Sequence, residues 1–228
     1  IGSSALASNT SGALNVAVGI LSATANTTGS NLVGVGAYSL YSNTTGGDNI
    51  ALGLNSLRNN SSGGSNIAIG TQALNSNTTA SNNTAVGYIA AYTNSTGTAL
   101  TAIGRAALYS NTTGVANTAV GADYPGVATG TLYNNTTGSY NTGLGVGALA
   151  LNTTANYNTA VGYQAGYSNQ TGASNVALGK GALYSTTTGN SNVAIGDSAV
   201  NGNTTGIANI GIGSGIPGVL NAALSNQT

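Results

Sequence analysis

Apolar residues recur along this chain in short triplets, each closed by a glycine and followed by a polar stretch. The closing glycines are Gly2, Gly19, Gly36, Gly53, Gly70, Gly87, Gly104 and Gly121, then Gly145, Gly162, Gly179, Gly196 and Gly213, a step of 17 residues with one gap of 24. Such fixed periodicity marks a repeat array. The residue before each glycine is Ile, Val or Leu, from Ile1 and Val18 to Ile195 and Ile212. Within each triplet the middle residue is Ala or Gly and the first is β-branched, as in Val16-Ala17-Val18 and Thr159-Ala160-Val161. A β-branched, small, branched triplet reads as a short strand, and the glycine permits a sharp corner after it.

A second apolar position lies four residues past the corner, at Leu6, Leu40, Leu57, Leu74, Leu108, Leu149 and Leu183. An Asn-Thr-Thr-Gly turn or a close variant follows, for example at 43–46 and 111–114. No window sustains a helical period. The expected fold is therefore all-β, a parallel β-solenoid of about thirteen 17-residue coils. Residues 1–228 read as a single repeat-array domain. Because Ile1-Gly2 is already the end of a repeat, the array reads as a segment of a longer fibrous chain. Pro-Gly loops interrupt it after Gly121, at Pro125-Gly126, and after Gly213, at Pro217-Gly218.

The strand has two faces, and the uniform aliphatics before the corner glycines are expected to fill the core. The small column at Ala17, Ala51, Ala68, Ala85, Ala119, Ala160, Ala177 and Ala194 then points outward. A column that never exceeds a methyl group fits a face approached by another chain. A homo-oligomer is expected, either a trimer or an end-to-end filament.

Charge is nearly absent: three Lys or Arg and three Asp leave a formal net charge of zero. Nucleic acid and anionic membranes are not expected partners, since both need clustered cations. No apolar run is long enough to span a bilayer, so no membrane insertion is expected in this segment. With no His, Cys or Glu and widely separated Asp, no nucleophile–base pair, metal cluster or cofactor site can be assembled. The chain reads as non-catalytic.

Three columns carry other meanings. Asn15, Asn49, Asn66, Asn83, Asn117, Asn141, Asn158, Asn175, Asn192 and Asn209 precede the strands and can bond from coil to coil as an asparagine ladder. A tyrosine column lies five past the corner, at Tyr41, Tyr92, Tyr109, Tyr133, Tyr167 and Tyr184, suited to ring stacking or to sugar contact. Finally, Asn9, Asn26, Asn43, Asn60, Asn77, Asn94, Asn111, Asn135, Asn152, Asn169, Asn203 and Asn226 all stand in Asn-x-Ser/Thr triplets. They are explained by turn chemistry or as glycosylation sites whose sugars hydrate an uncharged rod.

The stretches Asn158-Thr159-Ala160-Val161-Gly162-Tyr163-Gln164-Ala165 and Asn192-Val193-Ala194-Ile195-Gly196-Asp197-Ser198-Ala199 resemble head repeats of trimeric autotransporter adhesins, with related repeats in phage tail-fibre proteins. That resemblance implies a left-handed parallel β-roll, usually a homotrimer, on an extracellular or cell-surface fibre. Glycans or host-surface ligands are the partners it implies. The expected function is thus a structural or adhesive fibre segment. The alternatives are a receptor-binding region of a phage tail fibre, on the virion, and an ice-binding solenoid using Thr84 to Thr159.

Overall fold

The computed structural model describes residues 1–123 and 129–214. The two Pro-Gly loops, at Pro125 and Pro217, and the Asn226 triplet lie outside the described residues. Twelve strands form one parallel sheet in chain order. They are β1 (Val16–Val18), β2 (Val33–Val35), β3 (Ile50–Leu52), β4 (Ile67–Ile69), β5 (Thr84–Val86) and β6 (Thr101–Ile103). The series continues with β7 (Thr118–Val120), β8 (Thr142–Leu144), β9 (Thr159–Val161), β10 (Val176–Leu178), β11 (Val193–Ile195) and β12 (Ile210–Ile212). The chain is a parallel β-solenoid of about 11 turns. Thirteen corner glycines bound twelve strands, because Ile1 alone precedes Gly2, and twelve stacked strands are joined by eleven turns of the chain.

Pairing keeps every sequence column in register: Ala68 lies beside Ala85, and Ile69 beside Val86. The register also survives the gap of 24 residues, since Thr118 pairs with Thr142 and Val120 with Leu144. The sheet is therefore continuous from β7 to β8 across the longer step.

The corner itself requires glycine. Gly87 sits at φ 139°, and a Cβ there would lie 2.5 Å from the carbonyl oxygen of Gly104 in the next coil. Past the corner the chain adopts left-handed backbone twice without glycine, at Ile89 and Ala91 in that coil and at Tyr38 and Leu40 three coils earlier. Each such residue costs roughly 1–2 kcal/mol. The conformation turns the Leu side chain inward while its N–H bonds the next coil, as in Leu40 N–H to the Ser56 carbonyl at 3.1 Å.

The core is the reverse of the expected one. Ala51, Ala68, Ala85, Ala102, Ala119, Ala160 and Ala194 are fully buried, and Ala17 and Ala177 nearly so. They face the leucine column: a Cβ built on Gly34, in the Ala column, would lie 3.5 Å from Leu40 Cδ1. Leu40, Leu57, Leu74, Leu108 and Leu132 are likewise fully buried. With Leu on one wall, the space between walls admits only a methyl group from the other, because interiors are close-packed. The aliphatics flanking each Ala consequently point out, half-buried or exposed, with Ile103 40% and Leu144 44% exposed.

Candidate functional site

The outward face of the sheet carries two columns. One, before the corners, is aliphatic in all twelve strands, from Val18 to Ile212. The other is Val or Ile in β1 to β4 and β10 to β12, and Thr in β5 to β9. Thr84, Thr101, Thr118, Thr142 and Thr159 thus stand on this outer face, alongside Val86, Ile103, Val120, Leu144 and Val161. Strands lie about 4.8 Å apart and alternate residues about 7 Å apart. The two columns therefore make a flat strip roughly 50 Å long, on the order of 400 Å². A strip of that size falls within the range of the largest apolar patches on single chains, which are often functional.

The proposed interchain face at Ala17, Ala51, Ala68, Ala85, Ala119, Ala160, Ala177 and Ala194 is corrected by the same burial. These methyl groups touch their own chain's leucines, and nothing outside can reach them. Their uniform smallness reflects the thin core.

Two asparagine ladders run along the solenoid, one in segments and one from Asn9 to Asn169. Before the strands, Asn66 takes both its backbone N–H (2.9 Å) and its amide (3.1 Å) to Asn49 Oδ1, and the amide also reaches the Ala80 carbonyl at 2.9 Å. Where Leu32 and Leu100 replace the asparagine, their backbone N–H groups still bond Asn15 and Asn83 at 3.0 and 2.9 Å. Each leucine keeps the backbone donor but offers no side-chain acceptor, so the ladder stops there and resumes with Asn66 on Asn49 and Asn141 on Asn117.

The second ladder is built from the turn asparagines. Asn94 donates to Asn77 Oδ1 at 3.0 Å and to the Gly97 carbonyl at 2.9 Å, and accepts from Asn111 at 2.8 Å. The same bonds link Asn9, Asn26, Asn43, Asn60, Asn77, Asn94, Asn111, Asn135, Asn152 and Asn169 in unbroken sequence. The reading of these positions as glycosylation sites is corrected accordingly. Asn26 through Asn169 are buried, and the Nδ2 that would carry a sugar is already donating inside the chain. Asn9 and Asn203, at the ends, are part-buried, with Nδ2 bonded to the Gly12 and Gly206 carbonyls.

The tyrosine column stacks. Tyr92, Tyr109 and Tyr133 are spaced 5.4 and 5.0 Å with nearly parallel rings, and Tyr167 and Tyr184 are 5.2 Å apart. Their faces are spent on one another, so the column is no row of sugar platforms. Tyr140 and Tyr157, 17 residues apart, form a further exposed stack at 5.1 Å. Sequence reasoning passed over that pair, although the spacing alone could have found it.

Tyr41 does not stack in this way. The next place in its column is Arg58, whose guanidinium lies 5.6 Å from the ring centres of both Tyr41 and Tyr38. Arg105 lies 5.8 Å from the Tyr88 ring and forms, with Asp123 at 3.2 Å, the one ion pair among the described residues. Burial, then the neighbouring Tyr109 and Asp123, raise the pKa of the Tyr133 hydroxyl, against a lowering by Arg105.

No helix among the described residues is long and apolar enough to cross a membrane. Compared with protein-family models, curated proteins and solved structures, the chain matches none. Its function is argued from these surfaces.

Proposed function

We propose that the chain is a non-catalytic segment of an extracellular fibre, assembled side by side with further copies of itself through the outer face of its sheet. The observation that carries this is the unbroken aliphatic column, Val18 to Ile212, on the outside of a chain that has almost no charge. A solvent-facing column in a repeat array has no reason to exclude Lys, Glu or Ser twelve times. A second copy has the same coil spacing, so its side-chain ridges mesh with these over the full length. Six charged residues leave nothing to oppose that approach. The resemblance to adhesin heads favours a homotrimer, and the resemblance to phage tail-fibre repeats offers a virion fibre as the alternative setting. Sedimentation equilibrium tests the assembly: a multiple of the 21.9 kDa chain mass is expected, falling to the single-chain mass when Val86 and Ile103 are both changed to Lys.

A second reading rests on the outward turn of Thr84, Thr101, Thr118, Thr142 and Thr159. A flat array of threonines beside aliphatics at strand spacing suits ordered water, so ice is the ligand of that reading. Assembly would cover the array, so the two readings exclude one another. Inhibition of ice recrystallisation by micromolar protein distinguishes them.

A further inference from the structure

In a repeat array, residues shared by every coil are accounted for by the architecture, and departures that converge in space call for another cause. Arg58, Tyr38 and Tyr41 are such a convergence. Arg58 is the only charged residue in the column five past the corner, and Tyr38 is the only aromatic in the column two past it. Tyr38 holds left-handed backbone at φ 57°, where neighbouring coils place Leu21 and Asn55. That backbone recurs at Leu21, Asn55, Gln72 and Ile89, so it belongs to the architecture, and what departs at this place is the ring itself.

The cation is held but not neutralised. Two tyrosine rings lie 5.6 Å from the guanidinium carbon, within cation–π reach, and the rings are tilted 56° to one another at 5.8 Å. Arg58 Nε is buried and has no hydrogen-bond partner. The single ion pair among the described residues belongs to Arg105 and Asp123, so no carboxylate of the described chain serves Arg58. Asp48, nearby in sequence, accepts from Asn31 at 2.8 Å.

The geometry points to Arg58, Tyr38 and Tyr41 as a binding site for a monocarboxylated sugar. A fixed guanidinium fork matches a carboxylate with two parallel hydrogen bonds. The rings turn their faces to the guanidinium, so the sugar is matched by the tyrosine hydroxyls, which can exchange hydrogen bonds with the O–H groups of a pyranose ring. Polyanions are disfavoured, because nucleic acids and highly sulfated chains need several cations and this chain has three. An acidic peptide would satisfy the arginine but leave the two rings unused. Arg58 follows the corner at Gly53 and is not on the outer sheet face, so this site is independent of assembly.

The test is saturation-transfer NMR and titration of the full chain with glucuronate, glucose, acetate and a short acidic peptide. Glucuronate is expected to bind and glucose not. Arg58→Gln should weaken glucuronate roughly tenfold or more at an unchanged thermal transition. Arg58→Lys, which keeps the charge and loses the fork, should also weaken it. If Arg58→Gln fails to fold, Tyr38→Ala is the decisive variant, and undiminished binding by it overturns the proposal. So does equal binding of glucose, no binding of glucuronate, acetate bound as tightly as glucuronate, or tighter binding of the peptide. A single-chain mass in sedimentation would remove the fibre reading and leave this one standing.

Discussion

Asn169 donates to Asn152 Oδ1 at 3.2 Å, but its own Oδ1 is buried and accepts nothing, because Thr186 stands where the preceding coils place an asparagine. The same joint has Gly166 in the leucine column, and a small cavity of about 10 Å³ lies there between Leu149, Gly166, Asn169 and Thr186. That is room for about one water. Thr186→Asn restores the donor and continues the ladder to Asn203. It should raise stability by about 1 kcal/mol, read as a higher denaturant midpoint at unchanged slope.

Within the unbroken ladder the opposite change is costly. Asn94→Asp deletes both donors and puts a buried carboxylate against two acceptors, Asn77 Oδ1 and the Gly97 carbonyl. A loss of at least about 3 kcal/mol is expected in the same measurement.

Inside and outside of the strand can be separated by two substitutions one residue apart. Ala85→Leu overpacks the wall opposite the leucine column and should cost about 1–3 kcal/mol. Val86→Lys, on the outer face, should leave the coil's far-ultraviolet circular dichroism unchanged while weakening assembly. If Ala85→Leu were neutral and Val86→Lys unfolded the chain, the core described above would be inverted.

The raised Tyr133 gives a pH dependence with a definite sign. A folded-state pKa above the unfolded value near 10 means that the folded chain binds more protons between the two. Stability is full below pH 10 and falls as pH rises through the window above it. Tyr133→Phe should remove that part of the alkaline loss in chemical denaturation at pH 9 and pH 11. An unchanged slope would show that Tyr133 does not carry the loss.

The repeat, the strand triplets, the corner glycines and the register were all legible in the sequence, because each is a local pattern repeated in every coil. Which face of the triplet is buried was not. Period two places Thr84 and Val86 on one side and Ala85 on the other, but it does not say which side meets the Leu column. Hydrophobicity favoured Val86, whereas the volume left opposite Leu74 and Leu108 favoured Ala85. The turn asparagines misled for a related reason: Asn-Thr-Thr reads as an exposed acceptor motif, and only stacking shows that each amide bridges to the next coil. Arg58 and Tyr38 lie 20 residues apart, one coil plus three, a separation without meaning until the coils are stacked.

Assembly as proposed brings the aliphatic column against another copy of the chain. The chain has no cysteine, so Ile103→Cys introduces a unique thiol in that column. Its alkylation rate in the folded protein, with the mass of the product after mild oxidation, tests the claim most directly. The thiol is expected to be protected from alkylation and converted to an inter-chain disulfide at twice the chain mass. Alkylation at the rate of an unfolded peptide, with only single chains after oxidation, would contradict it.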